Sequence, residues 1–287
     1  MTEESDYLIE VARKISLPYQ ELPGMVAAMI TGSAAKGLAD NYSDIDMTMY
    51  WQALPEDQVL ANIMQQYGAS ERTWFLGNRD DGSFAEAYQY EGIEIQIGHT
   101  TTAAWEAAMD SVLIDHECGT PTHKALEGTL NCIPFFGEVH IESWQQRIAD
   151  YPDELARAMI QHHMKIMPVW GLQHHFASRD AQLWLAQLFS EATFNILGLL
   201  AGLNKLYFTD FQFKRTRYFI NQMSIKPALL ATRLEQLLTG EVGHRGEILR
   251  QLVNECAELV SRHYPDIDIK PLTRRLDWTQ PHWRLHR

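Results

Sequence analysis

The spacing of apolar residues differs between the first and the second half of the chain. In the first half, short apolar runs separated by turn residues predict strands at 26–30, 44–51, 73–76, 84–90 and 92–100. In the last run isoleucines alternate strictly with polar or small residues. This period of two places Glu94 and Gln96 on a polar face, opposite a ridge of isoleucines.

Elsewhere apolar residues recur every three to four positions, which predicts helices. Before residue 137 the predicted helices cover 6–15, 34–39, 56–67 and 101–117, and Pro18 is expected to end the first. After residue 137 the predicted helices cover 144–148, 154–176, 181–200, 213–222, 227–238 and 245–263. The sequence therefore predicts an α/β (α+β) domain with a mixed sheet at 1–137, followed by an all-α helical bundle at 138–287.

The stretch from 29 to 51, MITGSAAKGLADNYSDIDMTMYW, carries the most specific chemistry. Because successive side chains of a strand point to opposite faces, Asp44 and Asp46 share one face. Two neighbouring carboxylates repel each other unless a cation lies between them, so the pair predicts a Mg²⁺ site. Upstream, Gly32 permits a tight turn, and Ser33 begins a helix whose free N–H groups are expected to bind a phosphate.

The spacing of Gly32 and Ser33 from Asp44 and Asp46 resembles the G-S-x10-D-x-D signature of the nucleotidyltransferase superfamily typified by polymerase beta. In size and layout the chain resembles the nucleotidyltransferases that modify aminoglycoside and lincosamide antibiotics. The resemblance implies a Mg²⁺-dependent transfer of a nucleoside monophosphate, expected to be AMP from ATP, onto a hydroxyl of a small molecule. It also implies that nucleotide and acceptor bind between the two parts of the chain.

A third carboxylate is also implied by the resemblance. In the superfamily it comes from a later strand beside the D-x-D strand, and Glu94 matches that place. Its expected role is to hold metal or to act as general base on the attacking hydroxyl. Glu86 and Glu91 are weaker competitors for the same role.

Further along the chain, Lys205, Tyr207 and Lys214 resemble a run of asparagine, basic residue and tyrosine with a later lysine that occurs in some relatives. The resemblance implies that the lysines neutralise triphosphate charge and that the tyrosine lines the pocket for the base. The same residues are equally typical of a helix end with a capping lysine and exposed aromatic side chains.

Acidic residues outnumber basic ones by 37 to 24, which gives a net charge of -13. This charge repels phosphate backbones, so nucleic acid is not expected as a partner, and it favours a cationic acceptor. The N-terminus lacks the pattern of a secretory signal, and no apolar run is judged long enough to cross a bilayer. A cytoplasmic protein without a membrane partner is expected. The three cysteines lack C-x-x-C spacing and predict neither a disulfide framework nor a zinc site.

Two other functions stay open. The first is a nucleotidyltransferase that modifies a protein or a tRNA, of which the acidity disfavours the tRNA. The second is a non-catalytic nucleotide-binding or interaction protein, in which Glu94 is not the third carboxylate. No Walker motif and no G-x-G-x-x-G run occurs, which disfavours a P-loop kinase or a Rossmann dehydrogenase.

Overall fold

The computed structural model describes residues 1–172, 175–176 and 179–281, and the chain forms two compact units. The first unit comprises Met1–Asp115 and Ala125–Asp150, and the second comprises His116–Lys124 and Tyr151–Arg287. The domain boundary at residue 137 stays a prediction. In the structure the chain leaves the first unit after Asp115, returns to it at Ala125 and leaves it again after Asp150.

The first unit is built on a six-stranded sheet with the order β3-β4-β5-β2-β1-β6. The strands are β1 (Met25–Ile30), β2 (Ile45–Trp51), β3 (Trp74–Asn78), β4 (Ser83–Tyr90), β5 (Ile93–Thr101) and β6 (Ile133–Phe136). Strands β2 and β5 run parallel and the other neighbours run antiparallel, so the sheet is mixed. With the helical part that follows, this confirms the predicted fold class.

The two faces of the sheet are covered by different helices. The helices of this unit are α1 (Glu3–Gln20), α2 (Gly32–Ala35), α3 (Asp57–Gln66), α4 (Thr102–Leu113), α5 (Thr122–Leu130), whose first three residues belong to the second unit, and α6 (Glu138–Ala149). Helices α1 and α3 bury their apolar sides with Ile45, Met47 and Met49 in one core. On the opposite face, Tyr50 packs against Trp105 of α4 and Trp144 of α6.

Helix α1 continues past the residue that was expected to end it. Pro18 lies inside the helix, which runs on to Gln20. A proline lacks the N–H that would bond to the carbonyl four residues earlier, here that of Lys14. The hydroxyl of Tyr67 donates to this carbonyl instead, at 2.8 Å. The prediction was wrong because a side chain from another segment replaces the missing bond.

The described part of the second unit is helical. Its helices are α7 (Asp153–His162), α8 (Gln182–Leu203), α9 (Thr216–Asn221), α10 (Leu230–Thr239), α11 (Val242–His263) and α12 (Lys270–Thr273), with a 3-10 helix at Val169–Leu172. The helix predicted at 154–176 ends at His162, and part of the predicted range lies outside the described residues. Pro168 and the residue before it disfavour helical backbone, so a single helix is not expected to run through that point to residue 176.

Helix α8 is long and apolar enough to cross a membrane, and among the described residues it is the one helix that passes this test of length and composition. The helix is not an uninterrupted apolar run, because Gln187, Glu191 and Asn195 lie within it, so the expectation that no such run crosses a bilayer stays a prediction. In the most apolar window of the helix, 56% is buried inside the protein. Since the core helix of a globular protein passes the same test, the absence of a membrane partner stays a prediction.

Candidate active site

The two aspartates of the D-x-D motif lie at the beginning of β2. Asp44 directly precedes the strand, Asp46 is its second residue, and both are half-buried. The side chains between and after them, Ile45 and Met47, are 0% and 2% exposed in the core below. The alternation of the strand therefore holds both carboxylates on the face opposite that core.

Gly32 lies directly against the carboxylate of Asp46. Its φ of +67° is in the left-handed region, and a Cβ built on it would come within 2.0 Å of Asp46 Oδ2. The backbone is fixed nearby by the N–H of Thr31, which donates to the carbonyl of Asp46 at 2.8 Å. A side chain at position 32 would therefore displace the carboxylate, which explains why the turn needs a glycine.

Ser33 lies in the helix that follows this turn. Helix α2 has only four residues, and Ser33 is half-buried within it. The predicted binding of a phosphate by Gly32 and Ser33 stays a prediction. Lys36, which no motif in the sequence indicated, caps the C-terminal end of this helix. Its Nζ lies 2.7 Å from Glu127 Oε2.

Glu94 lies on the strand next to the aspartates. In the parallel pairing of β2 with β5, Ile45 is opposite Ile95 and Asp46 is opposite Gln96. Glu94 precedes Ile95 just as Asp44 precedes Ile45, so the two carboxylates occupy neighbouring places on the same face. The structure thus brings Glu94 to the site that the D-x-D motif predicted.

The amide of Gln96 joins Glu94 to Asp44. Its Nε2 donates to Glu94 Oε1 at 2.8 Å and to Asp44 Oδ2 at 2.9 Å. The sequence had indicated Gln96 only as a polar neighbour of Glu94. Its bridging role depends on the register of β2 against β5, which is not visible in the sequence of either strand.

Two further side chains, from β3 and β4, donate hydrogen bonds to the Glu94 carboxylate. The indole Nε1 of Trp74 lies 3.4 Å from Oε1, and Nε2 of Gln89 lies 3.4 Å from Oε2. Trp74 belongs to β3, two strands away from Glu94, and β4 between them presents the small Ala87. No local pattern in the sequence identifies Trp74 as part of the site, because its contact with Glu94 requires the complete strand order.

The competing glutamates do not belong to this site. Glu86 is fully buried in ion-pair contact with Arg72, whose Nη2 is 2.6 Å from Oε2, and with His99, whose Nε2 is 3.3 Å from Oε1. On β4 it is opposite Ile97, so it points into the core below the sheet. Glu91 lies in the turn between β4 and β5 with a φ of +50°, and its carboxylate accepts from the hydroxyl of Tyr7.

The residues present fit a Mg²⁺ ion bound together with a nucleotide. In the part of the chain that the structure describes, no three His, Cys, Asp or Glu side chains are arranged to hold a metal ion by themselves. Mg²⁺ is commonly bound by one or two carboxylates together with the phosphate oxygens of a substrate. Asp44 and Asp46 meet that requirement as a pair. Glu94 is joined to Asp44 only through the side-chain amide of Gln96.

The remaining candidates for nucleotide binding lie in the second unit. Lys205 follows α8, is exposed, and lies 3.5 Å from Asp153. Tyr207 is 5% exposed, and its ring packs against Tyr151 at 4.9 Å between centroids. Lys214 is exposed. A buried tyrosine offers little ring surface to a base, and the roles of all three residues stay predictions.

No protein-family model matches this sequence, and no curated protein matches it. Among solved structures the chain is similar to a nucleotidyltransferase-like protein from Exiguobacterium sibiricum 255-15. The two are 11% identical, the match covers 90% of this chain and 80% of that chain, and the TM-score is 0.38. A likeness at this level carries no argument about function, so the function has to be inferred from the side chains at the site.

Proposed function

We propose that this protein is a Mg²⁺-dependent nucleotidyltransferase that moves AMP from ATP onto a hydroxyl of a small, cationic acceptor. One observation carries the proposal: Asp44 and Asp46 share a face beside the Gly32 turn, and Gln96 joins Asp44 to Glu94. A carboxylate pair and a neighbouring carboxylate held by separate donors suit a reaction in which one group binds metal and another accepts a proton.

In this proposal Asp44 and Asp46 hold Mg²⁺ against the triphosphate. When bound, the ion neutralises charge that develops on the attacking and leaving oxygens. Glu94 takes the proton of the acceptor hydroxyl while the oxygen of that hydroxyl forms a bond to the α-phosphorus. The bond from the α-phosphorus to the bridging oxygen breaks, and pyrophosphate leaves. Gly32 and Ser33 contact phosphate oxygens, and Lys205 and Lys214 offset the remaining negative charge.

The test is incubation of the full chain with labelled ATP, GTP, CTP or UTP and a panel of hydroxylated amines, followed by measurement of pyrophosphate release. We expect Asp46→Asn to abolish transfer in saturating Mg²⁺, because the metal site loses a charge. We expect Glu94→Gln to lower kcat far more than it raises the KM for ATP, because an amide cannot take the proton. Glu142→Gln, at an exposed carboxylate on α6, is the matched control.

Each alternative predicts a different result in the same experiment. Label that appears on protein rather than on an added amine indicates a protein-modifying enzyme. Binding of Mg-ATP without release of pyrophosphate from any acceptor indicates a nucleotide-binding protein. Full turnover by Asp46→Asn would contradict the proposal itself.

A further inference from the structure

A side-chain amide lies between two of the three carboxylates of the candidate active site. Nε2 of Gln96 donates to Asp44 Oδ2 at 2.9 Å and to Glu94 Oε1 at 2.8 Å. Gln96 is opposite Asp46 in the pairing of β5 with β2, and all four side chains are half-buried. The amide therefore belongs to the site and not to the core on the other face of the sheet.

The two carboxylates determine which end of the amide faces them. An ionised carboxylate only accepts hydrogen bonds, whereas an amide nitrogen carries two N–H donors and the amide oxygen carries none. Turning the amide over would place its oxygen against two negatively charged groups. Both N–H donors of Gln96 are therefore used, and each bond is of the stronger, charge-assisted kind.

The nitrogen of Gln96 occupies the place that a bridging metal ion requires. An ion shared by Asp44 and Glu94 has to lie between the same two oxygens, at about 2.0–2.1 Å from each in the case of Mg²⁺. The amide nitrogen is a donor and not an acceptor, so it cannot itself bind a cation. A metal ion can enter this place only after the Gln96 side chain has moved away and both hydrogen bonds are lost.

The surroundings of Glu94 and of Asp44 differ in a way that favours different roles. Both oxygens of Glu94 accept hydrogen bonds, Oε1 from Trp74 and Gln96 and Oε2 from Gln89. In contrast, Oδ1 of Asp44 accepts from no residue that the structure describes, and only Oδ2 is used. Asp44 thus has an oxygen available for a metal ion, whereas Glu94 is surrounded by uncharged donors.

A second metal ion is the alternative that the amide excludes. Sites with two metal ions hold them roughly 3.5–4 Å apart, so that the ions stabilise the attacking and the leaving oxygens together. Here an amide takes the place beside Asp44 on the side of Glu94. The side of Asp46 is what remains for a metal ion.

We infer that Gln96 limits this site to a single divalent ion, bound by Asp44 and Asp46, and keeps Glu94 away from the metal so that it can accept a proton. Gln96 acts through the two carboxylates and is therefore a positioning residue. The inference rests on the proposed nucleotidyl transfer, to which it adds the number of ions and the residue that sets this number.

The number of Mn²⁺ ions bound with a nucleotide analogue tests this role without any turnover. α,β-Methylene-ATP is suitable because it cannot release pyrophosphate. Equilibrium dialysis of the full chain against Mn²⁺ and the analogue gives the amount of each that is bound, and electron paramagnetic resonance, with the dialysate as blank, shows whether bound ions are coupled. We expect one Mn²⁺ per bound analogue and the spectrum of an isolated ion.

Variants of Gln96 should raise this number. Gln96→Glu replaces the donor with a metal ligand, and we expect two Mn²⁺ ions per bound analogue, magnetically coupled at a separation of roughly 3.5–4 Å. Gln96→Ala removes the amide without adding charge and should also admit a second ion, more weakly. A thermal melt shows which variants are folded. Gln58→Glu makes the same exchange at an exposed position of α3 and should keep the count at one.

The outcomes distinguish this inference from the proposed function. Two Mn²⁺ ions per analogue in the unaltered chain would overturn the inference and leave nucleotidyl transfer standing. A count that stays at one in the folded variants of Gln96 would do the same. An unaltered chain that binds neither the analogue nor Mn²⁺ would contradict nucleotidyl transfer and the inference together.

Discussion

The contact between Gly32 and Asp46 shows how one missing side chain shapes the candidate active site. The turn at Gly32 brings its Cα so close to the carboxylate that no Cβ fits between them. The neighbouring donor, Gln96, holds Asp44 and Glu94 together on the same face. The positions of three carboxylates thus depend on one glycine and one amide.

We expect Gly32→Ala to impair transfer more than it impairs stability. At this positive φ an alanine lowers the free energy of unfolding by on the order of 1–2 kcal/mol. Its Cβ also pushes the Asp46 carboxylate aside, at little further cost in stability because that side chain can rotate. Gly68→Ala is the matched control, since Gly68 has a φ of +74° and a Cβ added there would meet nothing within 4 Å. Urea unfolding and pyrophosphate release are measured for both. Equal activity in the two variants would contradict the structural role of Gly32.

Among the secondary-structure elements, α1 shows how a tertiary contact overrides a local signal. Pro18 predicts a helix end, yet the helix continues because the hydroxyl of Tyr67 donates to the carbonyl that the proline leaves without a partner. Tyr67 directly follows α3, which packs with α1 against the same core. The bond therefore also links the two helices that cover one face of the sheet.

A double-mutant cycle tests whether the hydroxyl of Tyr67 takes the place of the helix hydrogen bond that Pro18 cannot form. We expect Tyr67→Phe to lower the free energy of unfolding by about 1 kcal/mol, because the Lys14 carbonyl loses its donor. In the background of Pro18→Ala the alanine N–H can bond to the same carbonyl, so the cost of Tyr67→Phe should be smaller. Tyr42→Phe is a control because Tyr42 is 98% exposed. The same cost in both backgrounds would show that the hydroxyl does not replace the missing helix bond.

Across the whole molecule, both units bury histidines that favour the neutral form. Burial lowers the pKa of His99 in spite of the nearby Glu86 carboxylate, and burial likewise lowers the pKa of His123 and of His163, the last to about 4. In the same cluster as His99, burial raises the pKa of Glu86, but the contacts with His99, Arg72 and Tyr88 outweigh burial and leave that pKa below its ordinary value. All these groups bind protons more readily when the chain is unfolded.

Stability should therefore fall as the pH is lowered. The unfolded chain takes up protons on histidine below about pH 6.5, whereas folded His163 does so only near pH 4. Between these values His163 alone accounts for a loss of about 3 kcal/mol. We expect a series of urea unfolding curves from pH 7 to pH 4 to show a smaller loss for His163→Gln than for the unaltered chain. His244→Gln, at an exposed position, should show the full loss, and an equal loss in His163→Gln would contradict this account.

Local patterns were sufficient to predict much of the first unit. Alternation along β2 and β5 predicted which side chains share a face, because a strand has a period of two whatever it pairs with. The helical periodicity of the later segments predicted the second unit in the same way. Errors occurred where a prediction relied on a single residue, as at Pro18, or extended one helix across Pro168.

The sequence by itself determined that Asp44 and Asp46 share one face, that Glu94 lies on the polar face of a later strand, and that a turn at Gly32 and a helix containing Ser33 precede the aspartates. The spacing of these residues is a local property of the chain. Only the tertiary structure decided that β5 lies parallel to β2 in the register that places Gln96 between two carboxylates, and that Trp74 reaches Glu94 across β4. It also decided that Glu86 is buried with His99 and Arg72. Strand order and register arise from packing between distant segments, and no local pattern encodes them.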